Sequence, residues 1–377
     1  CPLLGLSALA SAQPVVDAPH PRTIAVIRDD ASWLADPLYA KIRHSLEEMT
    51  TGRTPVAFLD DARFTVGTDA GSLRQALDRA LADPAIDEVL VLGVRAATLA
   101  GDPSVPLTKP VLGAVLIDSD LAPLPYDADG HSTKPNFFVV ALSARSSELL
   151  RQMQAAVPFT ALQILVDDHF AATSAELEAW RGQLARELGI DARIVPLGAT
   201  AAPTLAALDP TATTVFLLPA VRQTAEEHTR LLAGLRERRL TVLSFAGQSE
   251  VEAGALSGAL PEASTQLARR VAIVFDQLSP DTPANALTLR VPLRPELYFN
   301  ETTAAAIGFA PKFGALHTAT LVSPYAPAGG QPLSLGDAIV TALEKNFALR
   351  ARIAGTETSR QEVKGATGTL LPQLAAV

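Results

Sequence analysis

The chain has 377 residues, 48% of them hydrophobic and 19% charged, a composition typical of a globular protein and long enough for two domains or one two-lobed domain. The formal net charge of −9 argues against a nucleic-acid partner, because phosphate binding requires a basic surface. The single cysteine, Cys1, excludes a disulfide framework and a cysteine metal site within this sequence.

The first residues are typical of an export signal. Residues 1–12 are largely apolar and end in Ala10-Ser11-Ala12, which is the pattern of the tail of a secretory signal peptide with its cleavage site. In the alternative interpretation Cys1 is the lipidated first residue of a lipoprotein, although Pro2-Leu3-Leu4 is a poor match to a polar tether. Both interpretations predict export from the cytoplasm and treat the sequence as part of a longer one.

From Thr23 onward, short β-branched runs alternate with amphipathic helices, which predicts parallel strands joined by crossover helices. The strands are apolar throughout, as expected for strands that are covered on both faces. The predicted strands of a first series are 23–28, 55–60, 88–93 and 111–117. Its predicted helices are 37–49 and one that Asp69 caps and that carries Leu73, Leu77 and Leu81.

A loop rich in Pro, Asp, Gly and His at 119–134 separates this series from a second one. The strands predicted there are 136–142, 162–166, 192–197, 213–218, 240–245 and 287–293. The predicted helices are 146–156, 172–188, 225–239 and 262–278, with Gly189 as the residue that ends the second of them. Two consecutive α/β series of similar size, with a chain that returns to the first, predict a two-lobed binding protein whose ligand lies in the cleft at the carboxyl ends of the strands.

Four segments in order carry a resemblance to the substrate-binding proteins of ABC transporters, whose better-known members bind aromatic amino acids. They are 109–120 (KPVLGAVLIDSD), 143–168, 235–260 and 292–309, and the last has an Asn before a short helix and a Gly. The resemblance implies an α/β, periplasmic binding protein-like fold with two doubly wound parallel sheets and a hinge that closes the cleft. The expected domains are a signal remnant at 1–12, lobe 1 at 22–118 completed by about 250–310, lobe 2 at 119–249, a linker at 311–332 and a helical tail at 333–377.

Candidate ligand-binding residues follow the ends of the predicted strands. They are Arg28, Asp29, Arg95, Asp118, Ser119, Ser143, Asp168, His169, Ala220 and Gly247. A zwitterionic ligand needs a cation for its carboxylate and an acid for its ammonium, which Arg28 or Arg95 with Asp118 or Asp168 could supply.

Alternatives to a binding role remain for these residues. The pairs Asp29-Asp30 and Asp167-Asp168 could be caps at strand-to-helix turns, and His169 could be a surface turn residue. The chain also departs from the family pattern in the loops expected to touch ligand. It has Val140-Ala141-Leu142-Ser143 for Thr-Gly-Val-Ser, and Asp167-Asp168-His169 for an Asn-Pro type turn, which argues against an aromatic amino acid as the ligand.

No pattern in the sequence indicates catalysis. The sequence contains no G-x-S-x-G elbow, no G-x-x-x-x-G-K phosphate loop and no H-E-x-x-H, and its six histidines show no ligand spacing. The prediction is a non-enzyme without a metal or another cofactor.

The tail after the Pro-, Ala- and Gly-rich stretch 310–331 allows two interpretations. In the simpler one, a helix starting near Ser334 packs back on the α/β module. In the other, residues 333–374 resemble the amino-terminal segment of TolC-type outer-membrane efflux proteins, first through an opening helix, then a long helix, then a G-x-L-P-Q-L-like phrase. The matching residues are Leu333, Leu335, Ala338, Ala342, Leu343 and Asn346, followed by Gly368, Leu371, Pro372, Gln373 and Leu374.

The main hypothesis is a small-molecule-binding or docking module of a TolC-family efflux protein, in the periplasm and associated with the outer membrane. Its expected partners are an amino acid-like small molecule and periplasmic adaptor or inner-membrane transporter components, with contact to the outer membrane through residues beyond Val377 and a homotrimer at full length. The alternative is a stand-alone solute-binding protein or lipoprotein of an ABC importer for amino acids or similar molecules. In a third hypothesis the cleft is degenerate and the module binds only proteins.

Overall fold

The chain forms two compact units, Cys1–Tyr325 and Ala326–Val377. A computed structural model describes residues 21–29, 33, 35–51, 53–59, 70–118, 121, 124–167, 174–278, 282–291, 294–311, 317, 319–322, 336 and 347–369. The segment 1–12 and the cap predicted at Asp69 lie outside the described residues.

Strands and helices alternate through the first unit, as its sequence predicts. The strands are Arg22–Arg28 (β1), Val56–Leu59 (β2), Glu88–Leu92 (β3), Val111–Asp118 (β4), Phe137–Ala144 (β5), Ala161–Asp167 (β6), Asp191–Leu197 (β7), Thr214–Leu217 (β8), Thr241–Ser244 (β9), Ser257–Gly258 (β10), Tyr298–Asn300 (β11) and Thr320–Val322 (β12). The helices are Ala35–Met49 (α1), Ala70–Ala82 (α2), Val94–Gly101 (α3), Ser146–Ala156 (α4), Ser174–Leu188 (α5), Ala201–Ala207 (α6), Ala225–Glu237 (α7), Gln248–Ala253 (α8), Ser264–Gln277 (α9) and Glu301–Ile307 (α10).

These strands form two sheets, one in each lobe. The first sheet has the order β2-β1-β3-β4-β5 and is parallel at each of its strand pairs. The second has the order β12-β11-β10-β9-β8-β6-β7, in which only the β10–β11 pair is antiparallel. Strand order that departs from chain order requires crossover connections, which place helices on the sheet faces.

Strand β5 corrects one sequence assignment. By its position in the sequence this strand was expected in the second series, but it pairs with β4 over eight positions, from Val111↔Phe137 to Asp118↔Ala144. The first sheet therefore includes residues beyond the expected boundary at 118, and the chain leaves it through α4. Both series consist of uniformly apolar strands, so the residue pattern does not say to which sheet a strand belongs.

Of the segment 250–310, which was expected to complete the first lobe, α9 returns to that lobe, whereas β10 and β11 pair in the second sheet. Val271 and Phe275 of this helix lie in one apolar cluster with Ile42 and Leu46 of α1. The prediction of a strand at 287–293 was wrong for the residues that the structure describes. These residues form only isolated bridges, at Thr288 and Arg290. The described residues of this stretch make only a few backbone hydrogen bonds before the chain reaches β11.

One helix ends at the predicted Gly189, and another is bounded by an Asn and a Gly that belong to the resembling segment 292–309. Helix α5 ends before Gly189, whose φ of 66° lies in the left-handed region that glycine adopts without strain. The Asn300 side chain accepts a hydrogen bond from the Thr303 N–H at 2.8 Å and so caps α10, which Gly308 ends in the left-handed conformation.

A continuous apolar core joins the two lobes. One cluster includes Ile27 and Val115 of the first sheet, Leu150 and Met153 of α4, and Phe216 of the second sheet. Helix α4 connects the two sheets and lies in one cluster with residues of both. The junction between the lobes is therefore itself part of the core.

In the second unit the described residues form a helix at Phe347–Thr369, here called the tail helix. The side chains described at 355–367 are exposed. The residues of the opening TolC-like phrase, Leu333 to Asn346 as named above, and those from Leu371 to Leu374 lie outside the described residues. Among the described helices, none is long and apolar enough to cross a membrane.

Helix α9 provides a test of the returning connection. Val271 is fully buried against α1, whereas Ile273 on the same helix is 40% exposed. We expect Val271→Ala to lower the free energy of unfolding by about 2 kcal/mol, because it removes two buried methyl groups and leaves a cavity. Ile273→Ala should change it by less than about 1 kcal/mol. Urea denaturation measures both variants, and equal losses would contradict the packing of α9 on the first lobe.

Candidate functional site

A cavity of about 100 Å³ lies between the lobes at the carboxyl ends of their strands. We call it the interlobe cavity. The first lobe lines it with Asp29, Leu38, Gly93, Val94, Leu116 and Leu142. The second lobe lines it with Pro219, Val221, Ala246 and Ser249. The segment 260–264, which connects β10 to α9, and Leu267 complete its wall. Binding sites in open α/β sheets are expected at this edge of the strands.

The walls of the interlobe cavity are mainly apolar. Leu, Val, Ala and Pro side chains form most of the surface, and the polar side chains among the lining residues are those of Asp29, Ser249, Glu262 and Ser264. Both ionisable groups in that set are acids. The cavity therefore suits an apolar body with few polar contacts.

The Asp29 carboxylate binds the N-terminus of α3. Its Oδ2 accepts a hydrogen bond from the Arg95 N–H at 2.8 Å, and its Oδ1 accepts one from the Ala96 N–H at 2.6 Å. Gly93 makes this approach possible, because a Cβ at that position would lie 2.4 Å from Oδ2. Backbone donors that could otherwise receive a ligand carboxylate are thus occupied by the protein's own acid.

Asp29 is buried, with only 3% of its surface exposed. Burial raises the pKa of the Asp29 carboxyl to about 7, although its two backbone hydrogen bonds and the nearby charge of Arg95 favour the ionised form. The charge of Asp167 on the opposite lobe raises the pKa further. A cation in the cavity would counter both the burial of the Asp29 charge and its repulsion by Asp167.

Two other acids at strand ends have partners within the protein. Asp118 at the end of β4 is fully buried, and its Oδ2 accepts a hydrogen bond from the Ser146 N–H at 2.9 Å and one from the Ser146 hydroxyl. It caps α4 and does not line the interlobe cavity. Asp167 at the end of β6 pairs with Arg222, whose Nε lies 2.8 Å from Oδ1. Both acids hold neighbouring elements together.

The predicted cations lie outside the cavity wall. Arg28 donates to Asp36 at 3.1 Å, and its guanidinium lies 5.3 Å from the centre of the Tyr39 ring. The Nη1 of Arg95 is buried without a hydrogen-bond partner, but Arg95 is not among the residues that line the cavity. Among the residues of the wall that the structure describes, a ligand carboxylate would therefore find no cation as a partner.

The structure places the remaining predicted residues near the cavity or outside the described part of the chain. Ser143 pairs with Ile117 across β4 and β5, Ala220 is buried between the lining residues Pro219 and Val221, and Gly247 is packed against the Leu260 carbonyl. Three predicted residues, Ser119, Asp168 and His169, lie outside the described residues. Of the predicted residues that the structure describes, Asp29 is the one that lines the interlobe cavity.

A contact between the lobes involves residues that the sequence analysis did not select. Trp33, in the segment between β1 and α1, stacks on His228 of α7 with ring centroids 4.2 Å apart and an interplanar angle of 13°. The backbone N–H of Trp33 also donates to the backbone carbonyl of Gln223 at 3.3 Å. Trp33 of the first lobe is therefore docked on the second lobe.

Buried polar groups fix His228 in place. Its Nδ1 lies 3.3 Å from the Gln223 Oε1, and its Nε2 lies 2.9 Å from the Glu250 Oε1, close enough for an ion pair but not aligned as a hydrogen bond. The other oxygen of Glu250 accepts a hydrogen bond from the Ser244 hydroxyl at 2.5 Å. Both ring nitrogens therefore face side-chain oxygens, which sets the orientation of the imidazole against the Trp33 ring. A tryptophan in a loop and a histidine in a helix carry no sequence signal for such a pair.

A loop in the first lobe brings possible metal-ligating atoms together. Atoms of Asp127, Asp129 and His131 lie within 4.8 Å of one another. The Asp127 carboxylate accepts hydrogen bonds from the backbone N–H groups of Asp129 at 3.0 Å and His131 at 2.9 Å. These bonds form a turn, and the turn explains why the three side chains lie close together.

The fold resembles that of solved binding proteins. An ABC domain in complex with L-Trp from Streptococcus pneumonia gives a TM-score of 0.62 at 15% identity, over 80% of this chain and 99% of that chain. A conserved domain protein from Vibrio cholerae gives 0.61 at 15% identity, with the same coverage of both chains. The ligand-free, open form of a substrate-binding protein with adhesive properties from Clostridium difficile gives 0.50 at 11% identity, over 81% of this chain and all of that chain.

These similarities show the fold and confirm the predicted class, an α/β, two-lobed periplasmic binding protein-like fold. No protein-family model matches the sequence, and no curated protein does.

Asp29 gives the site a pH dependence that can be measured. Below the unfolded pKa of 3.8 both states hold the proton, between 3.8 and about 7 only the folded state does, and above about 7 neither does. Stability contributed by Asp29 is therefore lost as the pH rises from about 4 to about 7. We expect the unfolding free energy of the wild type, relative to Asp29→Asn, to fall by an amount on the order of 3 kcal/mol over this range.

Chemical denaturation at a series of pH values tests this expectation. The Asn side chain does not titrate, so the difference between the two proteins isolates the Asp29 carboxyl. A difference that stays constant from pH 4 to pH 8 would contradict a buried carboxyl with a raised pKa.

Proposed function

We propose that this chain is a non-catalytic solute-binding module that holds a small, mainly apolar molecule in the interlobe cavity. The observation that carries the proposal is that both lobes and the segment connecting them line one apolar cavity at the carboxyl ends of the strands. A ligand there would contact both lobes at once, so its binding energy would favour the closed arrangement.

The closed arrangement already has support without a ligand. Stacking of Trp33 on His228 and the shared core around α4 both connect the lobes. A ligand that fills the cavity would add apolar burial at about 25 cal/mol for each Å² removed from water. The proteins of similar fold described above, one in complex with L-Trp and one named as a substrate-binding protein, support a binding role.

Transport is the process in which we propose that the module acts. The pattern at 1–12, which predicts an export signal, is consistent with a location in the periplasm. A solute-binding protein of an ABC importer fits the cavity and the fold. The proteins of similar fold support this importer role more than a role in efflux. The function as a module of a TolC-type efflux protein rests only on the residues of 333–374.

Filling the interlobe cavity should abolish binding. Ser249 lines the cavity from α8, whereas Glu252 on the same helix is exposed. In a thermal-shift screen of small apolar metabolites and drugs, we expect some compounds to stabilise the protein, by about 2.7 kcal/mol at a concentration of 100 Kd. Ser249→Phe should lose these shifts because the ring occupies the cavity, and Glu252→Phe should retain them.

Two results would contradict the proposed site. The shifts could persist in Ser249→Phe, which would place the ligand elsewhere, or no compound could stabilise the wild type, which would favour a protein-docking role for the module.

The efflux connection has its own test. We expect the complete gene product to fractionate with the outer membrane and to run as a trimer in cross-linking and light scattering, because TolC-type channels assemble as trimers. A monomer in the periplasmic fraction would exclude this connection and leave the importer.

A further inference from the structure

We propose that the interlobe cavity selects a small apolar amine that carries no carboxylate, an inference that rests on the solute-binding function proposed above. It concerns the class of ligand, and three features of the cavity lead to it.

The first feature is the size of the cavity. About 100 Å³ is less than the roughly 150 Å³ of an apolar protein cavity that accepts benzene. A branched chain of four or five carbons with one polar group fits this space. Leu116 and Leu142 of the first lobe face such a chain together with Val221 of the second.

The second feature is the sign of the charges on the wall. Among the described residues of the wall the ionisable side chains are Asp29 and Glu262, so within this part of the chain a ligand ammonium meets acids and a ligand carboxylate meets no group of opposite charge. Burial raises the pKa of Glu262, but hydrogen bonds from Ser264 and Lys41 outweigh it and hold this pKa below its ordinary value. The Lys41 ammonium lies 3.3 Å from the Glu262 Oε1, so this acid already holds the nearby cation.

The third feature is the occupied N-terminus of α3. In many binding sites a helix N-terminus receives an anionic group of the ligand. Here the N–H groups of Arg95 and Ala96 donate to the Asp29 carboxylate at 2.8 Å and 2.6 Å. An amino acid would have to displace Asp29, whereas an amine would bind beside it and compensate for its burial.

Three compounds with the same five-carbon skeleton, together with leucine, which carries a carboxylate carbon in addition to it, separate these possibilities. They are 3-methylbutylamine, 3-methylbutan-1-ol, 3-methylbutanoate and leucine. In calorimetric titrations of the whole chain at pH 7.5, we expect the amine to bind at least about tenfold more tightly than the alcohol, because a charge-assisted hydrogen bond replaces a neutral one. The carboxylate and leucine should bind more weakly than the alcohol.

Variants show which groups make the selection. Asp29→Asn should reduce the preference for the amine over the alcohol to within about threefold, while Glu252→Gln, an exposed acid on α8, should leave it unchanged. Glu262→Gln provides a second measurement if Asp29→Asn does not fold. It removes an acid from the wall and frees Lys41, so it should shift the preference from the amine toward 3-methylbutanoate.

The outcomes distinguish this inference from the function on which it rests. Leucine or 3-methylbutanoate binding more tightly than the amine, with loss of that binding in Arg95→Met, would overturn the amine specificity and assign the carboxylate to the buried Arg95 guanidinium. Equal affinities for the amine and the alcohol would also overturn it. If compounds of other classes from the wider screen bind and Ser249→Phe blocks them, the solute-binding function stands in either case, whereas the absence of any ligand in both experiments rejects the function itself.

Discussion

The hydrogen bonds between the Asp29 carboxylate and the N-terminus of α3 determine the character of the site. Asp29 is located directly after β1, and its two oxygens meet two successive N–H groups of a helix that begins after the neighbouring strand, β3. This contact fixes the start of α3 and positions Gly93 and Val94 in the cavity wall. It also places a buried acid at a helix N-terminus whose backbone N–H groups would otherwise be free to bind a ligand. The same interaction therefore supports the fold and restricts the ligand.

The acids at the other strand ends show that such contacts are a general feature of this chain. Asp118 binds the first turn of α4, and Asp167 binds Arg222 in the loop after β8. Asp118 thus links β4 to the helix that follows β5, and Asp167 links β6 to the loop that follows β8. Buried charges require such partners, since an unpaired buried carboxylate is far more costly than a paired one. Of these three acids only Asp29 also faces the interlobe cavity.

The sequence predicted the elements well because the strands are short, continuously apolar and separated by amphipathic helices. It predicted the end of α5 at Gly189 because this signal is local. It assigned β5 to the wrong series because strand partners are chosen by packing between distant segments. The short α3, α6 and α8 were missed for a related reason, since six to eight residues give too few turns for a periodic pattern.

The site was predictable only as far as strand ends could be located. Residues after β1, β3 and β4 could be selected, but the choice between a cap and a ligand contact depends on which backbone N–H groups lie opposite each carboxylate. Trp33 and His228 are far apart in sequence and meet only because the lobes close on each other. The sequence therefore indicated the edge of the sheets at which the site lies, but not the contacts that close it.

The contacts between the lobes divide into two kinds with different consequences for motion. The apolar core around α4 follows directly from the connection between the sheets, so any opening of the cleft must preserve most of it. The stack of Trp33 on His228 joins a loop of one lobe to a helix of the other and can separate without exposing that core. The lobes could separate at Trp33 and rotate about the region of α4. This motion would expose the interlobe cavity while keeping buried the most apolar surface that any opening can retain. A ligand that bridges Asp29 and the apolar wall of the second lobe would then oppose this separation directly.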